Sequence, residues 1–246
     1  MPLKASPEDQ ASLLELQAID TKVQQLEHRA RTLPEAAALA ALEAEASEAR
    51  VESASATGAL EDARAELARV ESDVAVVEAR IVRDTERLQA SSSVKDVAGL
   101  ESELTGLKKR QYDLEEIQLG VMERVEDLDA AAERLSARLA ELLERIAAAE
   151  AERDAAMASI SSERTHALAN RSMIAGKLPP ELLALYERQR ERYGFGASLL
   201  RGGVSSASGV RLNEADMADI RAAAPDDVVL CPDSNAILVR TAESGL

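Results

Sequence analysis

An apolar seam runs from Leu39 to Leu88 and keeps one spacing for seven heptads. Steps of three and four residues alternate along it without a slip, which is the a/d pattern of a coiled coil. Seams with the same spacing precede and follow it, from Leu16 to Leu33 and from Leu100 to Ala149. Because each helix must bury its seam against another helix, the chain is predicted to fold as long paired helices.

Two stretches of the seams are less definite. The seam residues between Ala46 and Ala56 are small, so we expect this stretch to be thinly packed and flexible. In the third seam, either Gln118 or its neighbour Ile117 can occupy the buried position.

Local signals place the ends of the helices. Pro7, which follows a capping serine and precedes two acidic residues, favours a helix start, and Pro34 predicts a kink. A turn at Ser91–Ser93 separates two segments of nearly equal length, 7–90 and 94–176. Equal segments favour one long antiparallel hairpin with arms of ~120 Å, at 1.5 Å per residue. The alternative is a compact three-helix bundle in which the chain reverses at the proline.

Composition agrees with long helices and argues against several functions. Aromatic residues make up 2% of the 246 residues, whereas globular cores depend on them for buried area. The formal net charge of −16 argues against a general binder of nucleic acid or anionic membranes, since both need clustered Lys and Arg. The sequence predicts no membrane span and no secretory signal. A single cysteine permits no internal disulfide, so we expect a cytoplasmic protein.

Residues 177–246 differ in composition from the arms, so we divide the chain into a coiled-coil hairpin, 1–176, and a small β-rich domain, 177–246. Prolines begin a short helix in this domain, and Gly194 ends it. Glycine- and serine-rich sequence then predicts short strands around a tight turn. Asn213 can cap another short helix, and two apolar runs about Pro232–Asn235 predict a closing hairpin.

Catalytic motifs are missing from the sequence. It contains no phosphate-binding loop, no nucleophile elbow and no H-E-x-x-H pattern. The two histidines, His28 and His166, lie apart in the arms. We therefore predict that the protein is not an enzyme.

Two C-terminal segments, LPPELLALYERQRERYG and SGVRLNEADMADIRAAAPDDVVLCPDSNAILVR, carry a family resemblance. Together with the coiled coil, they resemble the bacterial family of coiled-coil hairpin proteins that end in a four-cysteine zinc ribbon. The resemblance covers nearly the whole chain and is most specific in the last forty residues. It implies two C-x-x-C turns, each of which supplies two zinc ligands.

This chain departs from that family at the implied ligand positions, which are Ser205, Ser208, Cys231 and Ser234. Structural zinc needs four nitrogen or sulfur ligands, and neutral serine is a poor ligand for it. We therefore predict a mostly α protein whose zinc-ribbon-like head lacks metal ligands and binds neither zinc nor another cofactor. Apolar packing that includes Val210, side-chain hydrogen bonds in the turns, and docking on the short helix are three ways of stabilising such a head.

The resemblance also implies a function, because members of the family resemble chaperones or adaptors linked to secretion systems and an alternative sigma factor. We predict a non-enzymatic scaffold that presents its arm and head to protein partners. A second copy of the chain is also considered as a partner, whereas a membrane is not. The alternative is nucleic-acid binding by the head, through arginines that can contact phosphates. Those arginines are Arg188, Arg190, Arg192, Arg201 and Arg211.

Overall fold

A computed structural model describes residues 3–246. Three helices make up most of the chain, and they are α1 (Pro7–Arg31), α2 (Pro34–Ala90) and α3 (Val94–Ala175). The predicted turn, Ser91–Ser93, joins α2 to α3. Pro34 is the first residue of α2, so the kink predicted there is a break between two helices. No helix within residues 3–246 has the length and apolar character needed to cross a membrane.

The C-terminal segment, 177–246, contains short elements around a three-stranded sheet. The elements are α4 (Pro180–Tyr193), β1 (Ala197–Arg201), β2 (Val204–Ser205), α5 (Glu214–Ala222), β3 (Ile237–Val239) and a 3-10 turn (Ala242–Ser244). Strand β1 is central, with β2 antiparallel on one side and β3 parallel on the other. The predicted closing hairpin forms, since the Leu238 amide donates to the Val229 carbonyl at 2.7 Å.

The chain forms two compact units. The hairpin unit is Glu35–Glu152, and the head unit is the chain up to Pro34 together with Arg153–Leu246. The head unit therefore includes α1 and the last part of α3 as well as the C-terminal segment. The division into domains at residue 176, which was predicted from composition, stays a prediction.

In the hairpin unit, α2 and α3 pair as the antiparallel hairpin that the seams predict. Every predicted seam residue is buried or half-buried, and at the ambiguous position Gln118 is half-buried while Ile117 is 48% exposed. Ion pairs between the helices follow the antiparallel order. They join Arg138 to Glu52, Arg64 to Asp129, Arg124 to Glu66, and Arg80 to Glu103.

The stretch of small seam residues is packed more closely than its composition suggests. Ala46 and Ala49 are buried, and they form one cluster with Leu142, which is 2% exposed. Small side chains let the facing leucine fill the space between the helices. The thin packing and the flexibility predicted for the whole stretch, 46–56, stay predictions, since Ser53 and Ala56 further along it are half-buried.

In the head unit, side chains from distant parts of the chain share one core. Leu13 and Leu16 of α1 are fully buried with Leu182 and Tyr186 of α4 and with Ile237 of β3. The segment before α1 also joins the sheet region, since the Val228 amide donates to the Leu3 carbonyl at 2.9 Å and the Ala5 amide to the Asp226 carbonyl at 2.9 Å.

Val210, which the sequence analysis assigned to apolar packing, lies outward instead and is 50% exposed. Val210 contributes its backbone carbonyl, which accepts a hydrogen bond from the Ser205 amide at 3.1 Å. Its role in this turn is therefore main-chain pairing rather than apolar packing.

Candidate functional site

Three of the four positions implied as zinc ligands come together in the C-terminal segment. Cys231 and Ser205 are fully buried, while Ser234 and Ser208 are half-buried. The hydroxyls of Ser205 and Ser234 and the backbone amides of Asp233 and Ser234 lie around the Cys231 thiol and act to lower its pKa. Cys231 also packs in an apolar cluster formed by Leu200, Leu212, Met217, Ile220 and Leu238.

A second group of hydroxyls extends this cluster. The Ser198 hydroxyl lies 2.7 Å from the Ser205 hydroxyl and accepts a hydrogen bond from the Ala207 amide at 3.1 Å. The Ser206 hydroxyl accepts from the Leu199 amide at 2.9 Å. The contacts of Ser198 satisfy the buried hydroxyls of Ser198 and Ser205, which would otherwise destabilise the fold.

The donor set does not fit structural zinc. One thiol and three hydroxyls cannot form the closed tetrahedron of nitrogen and sulfur ligands that such a site requires. Burial acts to raise the pKa of the Cys231 thiol, but the hydrogen bonds from Ser205, Ser234 and the turn amides outweigh it and hold the pKa below its ordinary value. Within residues 3–246, no group of three or more His, Cys, Asp or Glu side chains is placed to hold a metal ion.

A buried ionic cluster joins α1, α3 and α4 within the head unit. Asp20 is 4% exposed, and its carboxylate accepts from Arg171 Nε at 2.6 Å and from the Tyr186 hydroxyl at 2.8 Å. Arg190 Nε lies 3.4 Å from the same carboxylate, and both arginines also pair with Glu187. Two carboxylates thus balance two guanidinium groups, so the cluster contains no uncompensated buried charge.

The start of β1 is tied to α1 by a second buried polar side chain. Gln17 Oε1 accepts from the Gly196 amide at 2.8 Å and from the Ala197 amide at 3.3 Å. Gly196 is required here because a Cβ at this position would overlap the ring of Tyr186. Burial, followed by the hydrogen bond to Asp20, raises the pKa of Tyr186 well above its ordinary value.

This ionic cluster was not predicted from the sequence. Gln17 and Asp20 are polar residues outside the apolar seam, which begins at Leu16, so that seam does not mark them as buried. The available signal was Leu13, which extends the buried face by one step of three residues and places Asp20 seven residues further along the same face.

The five arginines proposed for nucleic-acid contact lie in different settings. Arg190 belongs to the buried ionic cluster, and Arg201 pairs with Glu243 at 2.7 Å. Arg188, Arg192 and Arg211 are exposed and form no ion pair with the residues that the structure describes. The Arg192 guanidinium lies over the Tyr193 ring, 5.3 Å from its centroid.

An open groove in the head unit offers no acid–base machinery. It has a volume of about 540 Å³ and lies between α1 and the loop that contains Phe195. Lys22 is the one titratable side chain that lines it. General acid–base catalysis needs a positioned donor and acceptor of suitable pKa, and this lining does not supply both.

Comparison with known proteins gives a consistent result. The CT398-like coiled coil hairpin domain family matches residues 16–194. Uncharacterized protein Rv2229c of Mycobacterium tuberculosis is 38% identical over 239 residues, which cover 97% of this chain and 98% of that protein. A solved structure from Mycobacterium smegmatis is 36% identical with a TM-score of 0.85, covering 97% of this chain and 100% of that chain. CT398 from Chlamydia trachomatis shares the fold at 19% identity and a TM-score of 0.63, covering 94% of this chain and 97% of that chain.

Proposed function

Because the chain belongs to the CT398-like coiled-coil hairpin family, we propose that it is a non-enzymatic scaffold that presents its hairpin and its head to protein partners. Two paired helices bury only the seam between them, so the outer faces of α2 and α3 stay available for another molecule.

One observation carries this proposal. On α3, within the hairpin unit, Tyr112 is 63% exposed, Leu119 is 56% exposed and Met122 is 39% exposed. Residues seven and three apart lie on the same side of a helix, so these three side chains form one outward apolar face. None of them belongs to the seam that α2 covers.

The residues around this face indicate what kind of partner it suits. Exposed residues of both signs lie beside the apolar side chains along α3, namely Glu115, Glu116, Glu123, Lys108 and Lys109. A polar, charged rim around an apolar centre is typical of protein interfaces. The complementary partner is an amphipathic helix with an apolar stripe and charged flanks, bound as a third helix beside the hairpin.

The test is affinity capture from an extract of the organism that makes the protein, followed by reconstitution with the purified partner. We expect Y112S/L119S to lose the partner. The matched control is V51S/L143S, which removes two exposed apolar side chains elsewhere on the hairpin unit, 70% and 44% exposed. The control should retain the partner. Equal binding by both double variants would contradict the proposed face.

The nucleic-acid alternative is distinguished in the same experiment. Material that is lost on nuclease treatment, and whose retention falls steeply between two salt concentrations, would indicate phosphate contacts. In that case R188A/R192A/R211A, which removes the three exposed arginines, should abolish retention while Y112S/L119S leaves it unchanged.

A further inference from the structure

Two turns of the C-terminal segment have the same backbone geometry. In the first, the Ser205 amide donates to the Val210 carbonyl at 3.1 Å, and the Gly209 amide donates to the Ser205 carbonyl at 2.8 Å. The Val210 amide donates to the Ser208 hydroxyl at 3.3 Å. Gly209, with φ of 66°, has the left-handed conformation that lets the chain turn back.

The second turn repeats each of these contacts. The Cys231 amide donates to the Ala236 carbonyl at 2.8 Å, and the Asn235 amide donates to the Cys231 carbonyl at 2.9 Å. The Ala236 amide donates to the Ser234 hydroxyl at 3.4 Å. Asn235, with φ of 57°, takes the place of the glycine, and it is the one non-glycine residue with positive φ in the described part of the chain.

This repetition places four side chains as two matched pairs. Ser205 and Cys231 occupy the first position of their turns, and Ser208 and Ser234 occupy the fourth. The fourth side chain accepts a hydrogen bond from the equivalent amide in both turns. One hydroxyl of each turn, from Ser205 and from Ser234, lies close enough to the Cys231 thiol to lower its pKa. The two turns therefore meet at one buried point.

We propose that these turns are a pair of zinc knuckles that has lost its metal and is closed instead by a thiol–hydroxyl cluster around Cys231. Four thiolates facing one another repel unless a cation neutralises them. A serine hydroxyl, in contrast, is neutral and can both donate and accept a hydrogen bond. The hydroxyls of Ser205 and Ser234 lie at the Cys231 thiol, while the Ser208 hydroxyl accepts a hydrogen bond from the Val210 amide of its own turn. The backbone hydrogen bonds of each turn therefore form without a metal.

The first test uses the full-length native protein. We expect well under one zinc per chain by elemental analysis, and we expect a strong chelator to leave the thermal midpoint unchanged. Zinc present at one per chain, lost together with the fold on chelation, would overturn the proposal.

The second test restores the missing ligands. In S205C/S208C/S234C, the native Cys231 completes a set of four thiols at the first and fourth positions of both turns. We expect this variant to bind one cobalt(II) per chain with the absorption spectrum of a tetrahedral thiolate site, and to gain thermal stability when zinc is added.

The matched control moves one ligand by a single residue. S206C/S208C/S234C contains the same number of thiols, but position 206 lies outside the first position of its turn and is exposed. We expect no tetrahedral cobalt spectrum from it. A restored variant that binds cobalt no better than this control, or that stays unfolded with and without metal, would show that the turns do not have knuckle geometry.

Discussion

The hairpin unit and the head unit bury their side chains in different ways. In the hairpin unit, each helix has one neighbour, so the seam residues are covered from one direction and many of them stay half-buried. In the head unit, α1, α3, α4 and the sheet surround the core, and Leu13, Leu182, Tyr186 and Ile237 are fully buried. A two-helix contact depends on local periodicity, whereas a core enclosed by several elements depends on segments that lie far apart in the chain.

The side chains of ion pairs are also less exposed in the head unit than in the hairpin unit. In the hairpin unit, the side chains of Arg64 and Asp129 are 56% and 45% exposed. In the head unit, Arg171 and Asp20 are 20% and 4% exposed. Exposed pairs contribute little because solvent screens them, whereas breaking a buried pair leaves an uncompensated charge. Substitutions in the head unit should therefore cost more stability than comparable substitutions in the hairpin unit.

Removing a buried carboxylate should separate the units most clearly. We expect Asp20→Asn to destabilise the head unit by about 3 kcal/mol, because Arg171 and Arg190 lose their shared anion. Asp129→Asn, the control in the hairpin unit, should cost less than about 1 kcal/mol. Hydrogen exchange of the α4 and α2 amides measures the two effects separately. Equal losses would mean that burial does not distinguish the two ion pairs.

Adding one methyl group should have opposite effects on the stability of the two units. Gly196→Ala should destabilise the head unit by about 1–3 kcal/mol, because the new Cβ overlaps the Tyr186 ring. Gly120→Ala should stabilise the hairpin unit by up to about 1 kcal/mol, since nothing lies within 4 Å of its Cβ and alanine favours the helix. Chemical denaturation of both variants provides the measurement. A stabilising Gly196→Ala would contradict the close packing of β1 on α4.

Replacing the buried thiol should reduce stability less than replacing the buried carboxylate does. Cys231→Ser retains a hydrogen-bonding atom among Ser205 and Ser234, so we expect a loss of at most about 1–2 kcal/mol. The thermal midpoint, measured with and without chelator, tests this expectation. A head unit that unfolds in this variant would indicate that the cysteine holds something that a hydroxyl cannot.

Alkaline pH should affect the head unit through Tyr186. The pKa of Tyr186 is raised in the folded state above its ordinary value of about 10. The protonated side chain therefore stabilises the fold fully below pH 10, and this stabilisation is lost as the pH rises further. The unfolded chain releases the proton first, which gives a loss of about 1 kcal/mol at pH 10.5. Comparing native protein with Tyr186→Phe at pH 8 and pH 10.5 isolates this effect. A native-minus-variant difference that stays constant between the two pH values would falsify the prediction.

Much of the fold follows from local sequence. The seam spacing predicted the buried face of α2 and α3, and the serine turn and the prolines placed the ends of the long helices. In the C-terminal segment, Asn213 caps α5 as expected, since its side chain accepts from the Asp216 amide at 2.9 Å. These features were predictable because caps, turns and helix periodicity involve residues that are close in the chain.

The candidate site was predictable only in part. The resemblance identified the positions Ser205, Ser208, Cys231 and Ser234, and the chemistry of serine argued against zinc. What the sequence did not indicate is that Ser198 joins the cluster through its hydroxyl, 2.7 Å from that of Ser205. Serines on a short strand carry no pattern that distinguishes a buried hydroxyl from a solvated one.

Long paired helices follow from local sequence, because the repeat of threes and fours acts through the nearest turns of one helix. The burial of Asp20, in contrast, depends on Arg171, Arg190 and Tyr186, which α3 and α4 bring to α1. A charged residue on a helix is compatible with both solvent and burial. Whether it is buried depends on partners more than a hundred residues away, whose positions no local pattern encodes.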